Sequence, residues 1–294
     1  MDDELLGWLY HRLLHDPSLN STYDCTYGDG LIAFIYFFAV LNQASPRWAC
    51  NRRHWPLWCR RLKLPSYSQL NKRLKTPSVQ NAIRQLGIEL RQQWPVGLDK
   101  AADGKPLIVG GFSHDPDARW GKVPDGWAKG YKLHVLADSS GAIEDFERTP
   151  LNAGEATVLR QILQRQKPGR LSGATLRADA NYDSNPTYRT AAQAGARLVA
   201  PRRKPGTGLG HHPQHPDRRA AIAELEHSCD GLPAHKRHRN RIEQTLAHLT
   251  NLPFGLWALP NFVRRLPRVR LWVTAKIVLY HLQKLIVLPH AQAA

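Results

Sequence analysis

From residue 4 to about 94, apolar residues recur at three- and four-residue spacing, the period of helices that bury one face, and the runs break at Pro46, Pro56, Pro65 and Pro77. The pattern predicts helices and no strands in this region. Leu31 to Leu41 ("LIAFIYFFAVL") is apolar on every side, too short to cross a bilayer, and reads as a buried helix. Ser66 to Ser68, after a turn at Pro65, predict the cap of a short helix, Gln69 to Lys75.

From residue 101 the period changes to that of strands, turns and helices. "KPLIVGGF" (105–112) is β-rich, and "GYKLHVLAD" (130–138) alternates, turns at Ser139-Ser140-Gly141 and finds a hairpin partner in "AIEDFERTPL" (142–151). A helix beginning near Glu155, the strand "ATLRADA" (174–180), a helix near 185–194 and the strand "ARLVAPRR" (196–203) follow. After a Gly, Pro and His-rich loop, 204–216, helices run to the end. The apolar stretch Leu271 to Leu288 carries Lys276, His281 and Lys284, which argues against a membrane span. Three strands and then alternating helix and strand predict an α/β fold, a mixed sheet with flanking helices in the order used by ribonuclease-H-like domains. A small all-helical domain, 1–95, is expected to precede it, with the sheet domain and C-terminal helices in 96–294.

Charge narrows the class. Lys and Arg number 41 against 24 Asp and Glu, a formal charge of +17, and the positive residues are clustered. A polyanion is the indicated partner, nucleic acid first. The clusters are 52–75, Arg202-Arg203-Lys204, Lys236 to Arg241 and 263–270, and the candidate DNA contacts are Arg60, Arg61, Lys72, Arg73, Arg202, Arg203, Lys236 and Arg239. The first cluster supports two readings, a helix-turn-helix with a basic recognition helix or an amphipathic helix with a solvated face. Cys25, Cys50, Cys59 and Cys229 form no C-x-x-C pair, so neither a disulfide framework nor a zinc site is indicated. The acidic start, Met1-Asp2-Asp3-Glu4, has the wrong sign for a secretory signal. A soluble, cytoplasmic protein is expected.

Against that positive background, "LRADANYDSNPTY" (176–188) ends a strand on acid. Carboxylates gathered from separate elements can hold divalent cations against a phosphate backbone. Asp103, in "AADGKPLIVGG", reads as such a ligand or as a turn residue before Gly104. Asp179, at the carboxyl end of a strand, reads as a ligand, and Asp183 as a helix cap or a support. Glu243, in "KRHRNRIEQTLAHL" (236–249), has Arg239 one turn before it and reads as a ligand or as half of a helix salt bridge. "GTGLG" (206–210) lacks the Lys-Ser/Thr of a P-loop, so no nucleotide cofactor is expected. His211, His212 and His215 lack an orienting partner and read as solvated or near phosphate rather than as zinc ligands. Trp120 and Trp127 suit stacking on a displaced base, with core packing expected of at least one.

The runs "DGKPLIVGGFSHDPDARWG", "AKGYKLHVLAD", "PLNAGEATV", "LRADANYDSN" and "RNRIEQTLAHL" together resemble the DDE transposases of bacterial insertion sequences, in the broad group around insertion-sequence families four and five. The likeness runs from about Asp99 to the C-terminus, and "RRHWPLWCRRLKLPSYSQLNKRL" is similar to the leader domain of that group. It implies a ribonuclease-H-like catalytic domain with Asp103, Asp179 and Glu243 as the acidic triad, holding two Mg²⁺ ions for which Mn²⁺ can substitute. It also implies cutting of double-stranded DNA at the terminal repeats and direct joining to target DNA, by a homodimer on paired ends in the bacterial cytosol. One departure stands out: relatives carry Y-x2-R-x3-E-x6-K on the Glu helix, where this chain has Lys236, Arg239, Glu243 and Thr250. Two other functions fit the same residues, a metal-dependent nuclease without strand transfer and a catalytically silent DNA-binding relative.

Overall fold

In the computed structural model, which describes residues 2–16, 26–95, 97–209 and 211–291, the chain forms two compact units. One joins Met1–Trp94 to Leu249–Ala294, and the other is Pro95–His248. Cys25 and Gly210 lie outside the described residues.

The first unit is helical: α1 (Asp2–His15), α2 (Asp29–Leu41), α3 (Pro46–Ala49), α4 (Tyr67–Arg73), α5 (Pro77–Gln92) and, from the far end of the chain, α10 (Leu266–Ala291). Helix α2 is buried on nearly every side, as its all-round apolar sequence requires. The sequence pattern groups the C-terminal helices with the sheet, whereas α10 packs with the N-terminal helices. The reason lies in its side chains: Val278 reaches to 3.1 Å of where a Cβ on Gly87 would stand, and buried Lys276 donates from Nζ to Val40 O at 3.0 Å and to Phe254 O. Helix α4 opens on a capping box, Ser66 Oγ accepting from Gln69 N–H at 3.3 Å and Gln69 Oε1 from Ser66 N–H at 3.0 Å. No helix among the described residues is long and apolar enough to cross a membrane.

The second unit is built on a six-stranded sheet. Its strands are β1 (Asp99–Ile108), β2 (Arg119–Val123), β3 (Gly126–Asp138), β4 (Ile143–Pro150), β5 (Thr175–Arg177) and β6 (Arg197–Val199). The order is β2-β3-β1-β5-β6, with β4 also paired to β3; β1, β2 and β4 run antiparallel to β3, and β1, β5 and β6 run parallel. The helices are α6 (Glu155–Gln164), α7 (Asn185–Gln193), α8 (Pro216–His227) and α9 (Gly231–Asn251), the last running past the unit boundary. Val158, Leu159, Ile162 and Leu163 form the apolar stripe of α6 and pack with Ala102 of β1, Leu136 of β3 and Leu176 of β5. A mixed sheet with flanking helices is therefore observed, in an order compatible with a ribonuclease-H-like fold.

Two elements depart from the expected pattern. The first strand begins at Asp99 rather than near residue 105, and β2 forms where the sequence pattern predicts no strand. Asp103 therefore lies within β1, paired with Val135, and is no turn residue. Gly104 stays in the strand because a Cβ there would stand 2.9 Å from Glu155 Oε1 and 3.1 Å from Lys132 Cδ, space those side chains occupy.

Candidate active site

Asp103 and Asp179 come together where β1 passes the carboxyl end of β5. Asp103 Oδ1 accepts from the Gly104 N–H at 2.8 Å. Asp179 lies two residues beyond β5 and caps the 3₁₀ turn Ala180–Tyr182, its Oδ1 accepting from Asn181 N–H at 2.8 Å and its Oδ2 from Asn181 Nδ2 at 3.1 Å. Burial pushes the Asp103 carboxyl up to about 6; the charges of Asp179 and Glu155 push the same way, while the Gly104 N–H and the Arg239 guanidinium oppose it. Burial also raises Asp179, with Glu155 adding to it and the Asn181 N–H and Arg239 opposing. The two aspartates are thus a partly buried pair of like charges, close enough to act on each other.

Glu155 completes this acidic neighbourhood, although its place in the sequence predicts only a helix start. It opens α6, receives Lys132 Nζ at 2.8 Å and accepts from Asn181 Nδ2 at 3.3 Å, so the amide that holds Asp179 is itself tied to Glu155. A signal was present in the motif "PLNAGEATV" and in the side-chain-free Gly104 beside Asp103.

Glu243 lies on α9, with a half-exposed side chain and Arg239 at 3.4 Å. Arg239 acts electrostatically on both Asp103 and Asp179. Among the described residues no three His, Cys, Asp or Glu side chains stand close enough together to hold a metal ion. The pair fits a hard divalent cation on its own chemistry, since two carboxylates whose charges are opposed by burial and by each other are stabilised by a cation between them. The third carboxylate is engaged elsewhere.

Asp183, placed by the sequence as a cap or a support, does not cap the following helix; Ser184 holds that position. Its fully buried carboxylate takes Arg218 at 2.6 and 2.7 Å and the Arg203 N–H at 3.1 Å, clamping the segment after β6 to α8. Asp183→Asn is expected to lower stability by about 2 kcal/mol in urea unfolding, the loss of a charge-assisted pair whose Arg still reaches water.

The basic candidates separate by what already occupies them. Arg73 is spent on buried Asp29 at 2.5 Å, and Arg202 on Glu226 at 2.8 Å. Arg60, Arg61, Lys72, Arg203 and Lys236 are exposed. His215 caps α8, its Nδ1 accepting from the Asp217 N–H at 3.3 Å, whereas His211 and His212 are exposed. Trp120 and Trp127 are both exposed, so neither is core.

The raised Asp103 pKa has a stability consequence. The folded protein holds a proton on Asp103 between its unfolded value of 3.8 and about 6, so stability falls as pH rises through that window and the loss persists above it. In metal-free buffer at neutral pH, Asp103→Asn is expected to raise stability by about 1–3 kcal/mol, the gain vanishing below about pH 4. Thermal melts of both proteins across that range measure it.

A partly buried aspartate pair, one from within β1 and one just past the carboxyl end of β5, with the Arg239 guanidinium of α9 acting on both, is the site that family membership puts in context. Residues 99–282 match the transposase DDE domain family, and the chain belongs to that family. A stretch of 72 residues is 40% identical to the transposase for insertion sequence element IS1106 of Neisseria meningitidis serogroup B; it covers 24% of this chain and 24% of that protein. No solved structure matches the chain.

Proposed function

We propose that the chain is a transposase that cuts double-stranded DNA at the terminal repeats of an insertion sequence and joins the ends to target DNA. The carrying observation is the juxtaposition of Asp103 and Asp179, from separate strands, under the charge of Arg239. Family membership supports the same reading.

In this reading Asp103 and Asp179 hold Mg²⁺, as two ions, with Mn²⁺ as a substitute, and Glu243 is the third holder once Arg239 has turned from it to a DNA phosphate. Bound there, such ions act as Lewis acids and lower the pKa of water, the chemistry that phosphodiester hydrolysis needs. Asn181 and Glu155 fix the Asp179 carboxylate, and Lys132 offsets the charge of Glu155. Water attacks phosphorus, the bond to the 3′ oxygen breaks, and the freed 3′ hydroxyl attacks a target phosphodiester in turn. The sheet and its helices form the ribonuclease-H-like catalytic part. The helices of the first 94 residues, with exposed Arg60, Arg61 and Lys72, serve as the DNA-binding part. A dimer on paired ends, working on chromosomal DNA in the bacterial cytosol, completes the reading.

A cut-and-join assay with Mg²⁺ and a labelled duplex carrying the element's own ends tests this. Joined products support a transposase; cuts without joined product indicate a metal-dependent nuclease. Binding with neither indicates a silent relative.

A further inference from the structure

Strands β2 and β3 form a hairpin that runs beyond the rest of the sheet at the end where Asp103 and Asp179 lie. Its register pairs Trp120 with Lys129 and Lys122 with Trp127. Directly paired residues share a face, and so do residues two apart in a strand, so both tryptophans and both lysines lie on one face of the hairpin. Trp127 is 72% and Trp120 53% exposed, and neither ring contacts another aromatic among the described residues.

The other face is closed. A Cβ on Gly121 would stand 2.8 Å from both the backbone and the side chain of Leu151, so the hairpin lies tight on that segment and cannot present its other side. Lys129 Nζ donates to Ser113 O at 2.6 Å, which fixes the loop after β1 beside the platform; in that loop Phe112 is wholly exposed. Two large open rings between lysines on a rigid ribbon are not explained by core packing.

Strand alternation also relates this face to the aspartates. Trp127 and Lys129 lie on the same side of β3 as Val135, which pairs with Asp103. Lys129, the partner of Trp120, is six residues from Val135 and Trp127 is eight, so the rings lie roughly 20 and 27 Å from Asp103 along the strand.

We infer that the β2–β3 hairpin face is a stacking platform for unpaired DNA bases, roughly 20 to 27 Å from the phosphate held at Asp103. The partner is chosen by chemistry: the open aromatic faces fit bases of any sequence, and exposed Lys122 fits the backbone beside them. The inference deepens the proposed function by naming the form of DNA that flanks the cut.

The test uses the full-length protein in metal-free buffer and a short labelled single-stranded oligonucleotide, with the duplex of the same sequence as control. The Trp120→Ala, Trp127→Ala double variant is expected to bind the single strand roughly 5- to 100-fold more weakly, with duplex affinity little changed. Replacing both rings by Tyr is expected to keep most of the affinity and replacing both by Leu to lose it, which separates stacking from apolar cover and from misfolding. Unchanged single-strand affinity in the Ala and Leu variants overturns the inference. So does a loss of self-association in sedimentation with DNA affinity unaltered, which would make the face a contact between copies. A wild type that binds single strands through these rings yet neither cuts nor joins duplex ends with Mg²⁺ sinks the proposed function and leaves the platform standing. Cutting and joining with ring-independent binding does the reverse.

Discussion

Asp179→Asn is expected to reduce Mg²⁺-dependent cleavage of duplex ends by about 10³-fold while leaving DNA binding intact. The magnitude follows from the several kcal/mol that a cation contributes to developing charge, at about 1.4 kcal/mol per factor of ten. Asn keeps the size of the side chain and can still accept the Asn181 N–H that now reaches Asp179 Oδ1 at 2.8 Å, so the 3₁₀ turn is preserved while the charge is lost. Asp183→Asn, four residues on, disturbs the pair with Arg218 and is expected to lower stability more than turnover. Rate measurements on both variants at saturating DNA separate the roles. Equal losses of turnover in the two would place the chemistry elsewhere.

Glu144→Gln is expected to destabilise the sheet unit by about 3–5 kcal/mol. Glu144 of β4 and Lys100 of β1 meet at 2.5 Å with both side chains 1% exposed, on the two strands that flank β3. Two charges taken this far out of water have given up their hydration, and their mutual attraction offsets that loss only while both are present. Removing one charge strands the other. The pair replaced together, Lys100→Met with Glu144→Leu, is therefore expected to recover most of the stability lost by either single change, as read from urea midpoints. A single change costing under about 1 kcal/mol would mean that water reaches the pair.

What the sequence made legible depended on how local the signal was. The alternation of 130–138 and the turn at Ser139-Ser140-Gly141 marked the hairpin of β3 and β4, because period and turn chemistry act within a few residues. Asp179 was legible from its strand end and from its place in a family motif. Strand β2 was missed because "RWGKV" carries few apolar residues and lies at the sheet edge, where Gly121 is needed for contact with Leu151, a residue that periodicity does not connect to it. Asp183 reads locally as a cap before Asn185-Pro186, but its partner Arg218 comes from α8, beyond the following strand and loop. Glu155 reads as an acid in a first helical turn, a placement the helix dipole favours in any case. Only the packing of α6 on the sheet brings its carboxylate to Asn181 and Gly104.

The proposed function stands on one physical claim, that Asp103 and Asp179 together seat a divalent cation. Mn²⁺ binding followed by electron paramagnetic resonance tests it on the full-length protein without any need for the element's DNA ends. Wild type and Asp183→Asn are expected to bind Mn²⁺ alike, and Asp103→Asn and Asp179→Asn each to bind at least about tenfold more weakly, a loss of some 1.4 kcal/mol. Mn²⁺ binding that is the same in all four proteins would contradict the claim.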